Sequence, residues 1–272
     1  MTTPDAASEF RTDTTVTRVD ERTWTGEVNP RWNIGANPNG GYLLAMVVRA
    51  MRELAGKPDP LSMTAHYLSP PTAGPVTIEV DPVKPGRTFV NVTARLVQDG
   101  RERVRFLGVF GDLGAQRGPT RLAASPPALP PVEQCVSMRD LSAEAGRQVP
   151  EAMFRYDLLL PRDTEWGKVE EGAPLGITGW IRLADGTEPD VLSLVTFADA
   201  FPPTVIGSVA AGWVPTLELT VHVRARPVAG WLIGRFTTRF LIDGLLEEDG
   251  ELWDADGRPV ALSRQLAMVM TR

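Results

Sequence analysis

The chain has 272 residues, 43% of them apolar and 23% charged, enough to bury a sizeable core in one large domain or two of ordinary size. Its formal charge of −6 comes with no run of Lys or Arg, which excludes the electrostatic footprint of a nucleic-acid or anionic-membrane partner. Cys135 is the only cysteine and His66 and His222 the only histidines, so a disulfide framework, a Cys-rich or His-rich metal centre and a chymotrypsin-like triad all lack candidates, and no cofactor is expected.

From the N-terminus, residues 1–20 are polar, without the basic and apolar regions of a secretory signal, and no later apolar segment reaches the ~18 residues that suggest a membrane span. With a single cysteine, a cytoplasmic location is expected. Asn39-Gly40-Gly41 then precedes an apolar run from Tyr42 to Val48, which continues through Met51 and Leu54 and stops at Gly56 and Pro58. These are start and stop signals of a helix, and a helix apolar all round must be buried. Strands are expected over 61–68, 76–83, 88–97 and 103–110. Residues 115–131 are rich in Pro and Ala and read as a linker. Beyond it the order returns: a helix over 191–201, then strands near 216–224, 232–243, 248–254 and 259–270. Neither a G-x-S-x-G elbow nor a G-x-x-x-x-G-K-[ST] loop occurs.

The recurrence is visible in the letters themselves. TAHYLSPPTAG begins at Thr64 and TVHVRARPVAG at Thr220; Thr64 and Thr220, His66 and His222, Pro71 and Pro227, Ala73 and Ala229, and Gly74 and Gly230 share one offset of 156 (220 minus 64). Asp99-Gly100-Arg101 and Asp256-Gly257-Arg258 repeat at nearly the same offset, each between strand-like runs, as hairpin turns do. The chain therefore reads as two copies of one unit, a helix wrapped by an antiparallel sheet.

Such a unit, present twice, resembles the double-hotdog arrangement, and the local strings resemble the TesB-like acyl-CoA thioesterases over residues 32–112 and 190–270. The resemblance implies an α+β fold with an N-terminal hotdog (1–114), a Pro-rich linker (115–145) and a C-terminal hotdog (146–272) carrying the site. It also implies an acyl-CoA substrate, a role in fatty acid metabolism and a homo-oligomer. In that family the first hotdog opens its central helix with Gly-Gly, matched by Gly40 and Gly41, which would be substrate-binding. The second carries an Asp near the end of its helix, a Thr opening the next strand and a Gln in the last strand. Asp199 in FADAFPP, Thr216 in PTLELTVHVRARP and Gln265 in DGRPVALSRQ fall on those positions and would be catalytic. Departures are Tyr42, where the family often has Gln, and Arg224-Ala225-Arg226-Pro227, one residue longer than the family's His-Arg-Pro.

The residues can be weighed on their own terms. Asp199 is the only charged residue between Val191 and Ile206, so its carboxylate needs hydrogen-bond partners or its pKa rises; the alternative is a cap beside Pro202-Pro203. Alternation over 216–224 puts Thr216, Glu218, Thr220, His222 and Arg224 on one polar face, where solvent exposure would serve equally well. Gln265 alternates with Ala261, Ser263 and Ala267. Thioester hydrolysis needs a held water, a base and oxyanion donors; Asp199 could take the proton, Thr216 and Gln265 could orient the water, and backbone N–H groups at a helix N-terminus could be the donors. Arg87, Arg224 and Arg226 are the cations available to CoA phosphates. The competing readings are a non-catalytic acyl-CoA or lipid-binding protein and, more remotely, an enoyl-CoA hydratase, which would need an Asp–His pair on a helix.

Overall fold

Asn39 sets the start of the central helix by accepting the Tyr42 N–H through its side-chain oxygen (2.9 Å), and Gly56 ends it in the left-handed conformation (φ 59°) that a C-terminal glycine adopts without penalty. The computed structural model describes residues 8–164, 172–209 and 213–270. Its first half runs α1 (Glu9–Asp13), β1 (Val16–Arg18), β2 (Thr23–Val28), the small pair β3 (Asn33–Ile34) and β4 (Asn37–Pro38), α2 (Gly40–Ala55), β5 (Asp59–Tyr67), β6 (Gly74–Lys84), β7 (Val90–Gln98) and β8 (Arg101–Gly111). After β9 (Cys135–Ser137) and α3 (Met138–Glu144), the second half runs β10 (Tyr156–Pro161), β11 (Leu175–Leu183), α4 (Val191–Phe197), β12 (Thr216–Val223), β13 (Leu232–Thr238), β14 (Leu241–Ile242), β15 (Leu245–Trp253) and β16 (Pro259–Met268).

Apart from the β3–β4 pair, the strands form one antiparallel sheet, ordered β1-β2-β6-β7-β8-β5-β12-β16-β15-β13-β11-β10-β9, with β14 on β15. Reading outward from its middle, β5-β8-β7-β6-β2 on one side mirrors β12-β16-β15-β13-β11 on the other. The halves are thus the two copies read from the sequence. They meet where Thr64 pairs with Thr220, whose hydroxyls lie 2.9 Å apart at the centre of the pseudo-twofold. The fold is a double hotdog, with α2 and α4 packed on the inner face of the shared sheet in one hydrophobic core.

Residues 41–48 of α2 are all buried, as a helix apolar all round requires. Each such Leu, Val or Met contributes roughly 1.5–3 kcal/mol relative to exposure, which outweighs the poor helix propensity of the two glycines that start it. Helix α4, expected to reach Phe201, stops at Phe197. The Asp199 N–H turns back to Thr196 O (3.1 Å) and the Ala200 N–H to Phe197 O (3.3 Å), tightening the last turn. Phe201, preceding Pro202, is then steered away from helical geometry.

The segment expected as a linker has two parts. Residues 116–131 carry no regular structure, whereas β9 pairs on β10 and α3 brings Met138 into the core. The loose part is anchored at Pro130, whose carbonyl accepts the Trp180 indole N–H (2.9 Å). Replacing residues 125–131 by a flexible sequence of equal length should therefore cost about one hydrogen bond, ~1 kcal/mol, and lower Tm by only a few degrees in calorimetry. Loss of cooperative unfolding would show the segment to be structural. No helix among the described residues is long and apolar enough to cross a membrane.

Candidate active site

Because α2 and α4 run side by side, the first turn of α2 faces the residues that follow α4, and this places Asp199 on the N-terminal hotdog's Gly-Gly turn. Its Oδ2 accepts from the Gly41 N–H (2.8 Å) and the Asn39 amide (3.0 Å), and Asn39 also donates to the Asp199 carbonyl (2.7 Å). Oδ1 accepts no hydrogen bond from the described residues. Burial lifts the carboxyl from the usual range to about 6, against the pull of the Gly41 and Gly40 N–H groups and the Asn39 amide. The glycines make this approach sterically feasible. A Cβ on Gly41 would sit 2.7 Å from Thr196 O and 2.9 Å from Asp199 Cβ, and one on Gly40 would meet the Tyr67 hydroxyl at 2.7 Å.

Thr216 reaches the same place by a device that strict alternation misses. A β-bulge at Leu217 sets Thr216 opposite Ala267 while Glu218 is opposite Leu266. Thr216 therefore points inward with Leu219, Val221 and Val223, and the single polar face expected for this strand is confined to Glu218, Thr220 and the exposed His222. Gln265 also faces inward and is 8% exposed, not solvated. The Thr216 hydroxyl donates to Gln265 Oε1 (2.8 Å), and the Gln265 amide donates to Glu248 Oε1 (2.8 Å). Glu248, a buried acid that sequence reading passed over, receives the Thr204 N–H on its other oxygen (2.8 Å). Its signal in the sequence was hidden by Glu247 and Asp249, which make the strand look like an acidic solvent edge.

Asp199, Thr216, Gln265 and Gly40 line one cavity of about 520 Å³, the size usual for a small-molecule site. Its wall is mainly apolar, with Ile34, Leu43, Val104, Met138, Met153 and Phe201 among the lining residues. Tyr67 also lines it, and its buried hydroxyl has no hydrogen-bond partner among the described residues. Neither histidine lines the cavity, so the Asp–His pair of a hydratase is absent. Arg226 is not free to hold a phosphate: its guanidinium grips the buried Asp59 at 2.9 and 2.8 Å and also reaches Asp112 (3.1 Å). No group of metal-ligating side chains occurs among the described residues.

The pseudo-twofold generates a second, equivalent position, and it lacks the same polar side chains. The bulge recurs in β5 between Pro60 and Ser62, so Pro60 stands where Thr216 does. Gly108, opposite Met63, occupies the place of Gln265 opposite Leu219, and Val92, opposite Gly108, occupies that of Glu248. Of the two equivalent positions, that of Thr216, Gln265 and Glu248 carries the polar network, and that of Pro60, Gly108 and Val92 does not.

A tandem pair of helix-in-sheet units sharing one sheet defines the double-hotdog class, and this chain sets a buried acid, Asp199, at its helix–helix seam. Family models agree. Residues 28–111 match the Acyl-CoA thioesterase N-terminal domain and residues 132–269 the Acyl-CoA thioesterase C-terminal domain. Among solved structures, a candidate thioesterase II from Thermobifida fusca is similar over 97% of this chain and 98% of its own, with 33% identity and a TM-score of 0.86. A hot-dog-fold protein from Alicyclobacillus acidocaldarius is similar over 98% and 100%, at 22% identity and a TM-score of 0.86. Acyl-CoA thioesterase II TesB2 from Mycobacterium marinum is similar over 97% and 98%, at 18% identity and 0.74. The chain belongs to the TesB-like acyl-CoA thioesterase family and is a thioester hydrolase by that membership.

Proposed function

We propose that the protein hydrolyses an acyl-CoA thioester to the free acid and CoA, using a water held between Asp199 and Thr216. The observation that carries this reading is the division of labour at Asp199. Oδ2 is immobilised by Asn39 and Gly41 while Oδ1, which accepts no hydrogen bond from the described residues, belongs to a residue lining the cavity beside Thr216. The water gives one hydrogen to Oδ1 and the other to Thr216 Oγ, whose own hydrogen is committed to Gln265. Its lone pair is then directed at the carbonyl carbon. As the C–O bond forms, Asp199 takes the proton. The developing oxyanion is met by the Gly40 N–H, whose pull on the Asp199 carboxyl slackens as that group takes the proton, with the Tyr67 hydroxyl, unpartnered among the described residues, beside it. Collapse breaks the C–S bond, and the departing thiolate recovers the proton from Asp199. The Gly41 N–H takes no part in the oxyanion hole, since it is spent on Asp199. The apolar wall receives the acyl chain. Exposed leucines on the outer sheet face, Leu107, Leu262 and Leu266, support self-association.

Release of free thiol from a panel of acyl-CoAs tests the reading. At least one should turn over without added metal, and turnover should fall as pH drops through about 6, because the base must be ionised. Tight acyl-CoA binding by calorimetry with no thiol release from any panel member would favour the binding-only alternative.

A further inference from the structure

Resting on that reading of Asp199 and Thr216, we infer that Glu248 is a positioning residue that fixes which way round the Gln265 amide sits, and through it the polarity of the Thr216 hydroxyl. Glu248 is 3% exposed and forms no ion pair among the described residues. Burying an acid without a cation is costly, so the fold retains it against a standing penalty. Its two oxygens meet two donors, the Thr204 backbone N–H and the Gln265 amide, both at 2.8 Å. The backbone donor cannot turn. An acceptor-only carboxylate therefore obliges Gln265 to present its NH₂ to Glu248 and its carbonyl to Thr216. That carbonyl draws the Thr216 hydrogen away from the cavity (2.8 Å), leaving the hydroxyl's lone pairs toward the water. The chain Thr204, Glu248, Gln265, Thr216 thus converts a backbone N–H, fixed in direction, into an acceptor at the site.

The isosteric variant Glu248→Gln reverses this order. Its carbonyl must stay on the Thr204 N–H, its NH₂ faces Gln265, the Gln265 amide flips, and Thr216 becomes an acceptor whose hydrogen competes with the water's. We expect kcat to fall about 10–100-fold, the range seen when an orienting partner is lost at metal sites, with KM little changed. Thermal stability at pH 8 should hold or rise, since a buried charge is removed. A second readout is the acid limb of the wild-type profile. Burial pushes Glu248 up to about 7, and Asp199 is the ionisable group whose charge bears on it; the facing Thr204, Thr238 and Gln265 are uncharged. Protonation of Asp199 stops the reaction and protonation of Glu248 slows it as the substitution does, so the wild-type limb should be steeper than a slope of one in log kcat against pH between about 7 and 6, and that of Glu248→Gln should keep a slope of one.

In the Gln265→Ala background, Glu248→Gln should cost nothing further, because its effect is transmitted by the missing amide. An equal loss in both backgrounds, or an unchanged kcat in the single variant, overturns the inference. If Glu248→Gln does not fold, the exchanged pair Glu248→Gln/Gln265→Glu restores every donor to an acceptor and should turn over faster than Gln265→Ala. A folded exchange variant no faster than Gln265→Ala would likewise overturn it. Failure of the underlying mechanism looks different: Asp199→Asn would keep full turnover.

Discussion

Asp199→Asn should lower turnover by roughly the 10²–10⁴-fold typical of a lost general base, with substrate binding much less affected. The substituted side chain can keep its oxygen in the Oδ2 position, satisfying the Asn39 amide and the Gly41 N–H, which places an NH₂ where Oδ1 would meet the proposed water. A donor then stands where the reaction needs an acceptor. Stability should move the other way. The folded-state carboxyl titrates at about 6, above its unfolded value near 4, so the folded protein holds this proton more tightly. The cost of keeping it ionised is absent below pH ~4, grows between ~4 and ~6, and reaches roughly 2–3 kcal/mol above that. Asp199→Asn should therefore be at least as stable as the wild type at pH 8, with the difference vanishing near pH 4 in thermal melts. Thr216→Ala and Gln265→Ala should also slow turnover, and each combined with Asp199→Asn should be markedly less than additive, since groups acting on one water fail together. Full hydrolysis by a folded Asp199→Asn protein would dismiss the mechanism.

Gly41→Ala should damage fold and site together. The added Cβ meets a backbone oxygen, Thr196 O, at 2.7 Å, so the two helices must separate where they cross, and no side-chain rotation can relieve the clash. Overpacking of this kind costs typically 1–3 kcal/mol, and separation also lengthens the Gly41 N–H to Asp199 bond now at 2.8 Å. Lower Tm and a fall in kcat should appear in the same variant. In Gly40→Ala the atoms met are the Tyr67 hydroxyl and, at 3.0 Å, an Asp199 carboxylate oxygen. Activity should suffer there at a smaller cost in stability, because side chains can give way where backbone cannot. Equal Tm for wild type and Gly41→Ala would show that the helix seam is looser than described.

Sequence by itself determined the duplicated architecture, because a shared offset of 156 and capped apolar helices are local, periodic signals that survive without coordinates. It also placed Asp199, Thr216 and Gln265 through strings of letters, and the tertiary structure brings all three to one cavity. What only that structure decided depends on contacts between distant segments. Strict alternation put Thr216 on the outer polar face with Thr220; one extra residue in β12, invisible to a period of two, turned it inward. Gly41 read as a donor for substrate, yet its N–H is taken by a carboxylate 158 residues away. Arg226 read as a cation available to phosphate, but the fold sets it on Asp59, 167 residues distant. Glu248 was passed over in the sequence, and only the packing of β15 between β16 and β13, with Thr204 set against it, shows it to be buried. Periodicity reports the surroundings a residue has within its own segment; a polar group's function depends on which partner from another segment satisfies it, and that is fixed only when the two copies close on each other around Thr64 and Thr220.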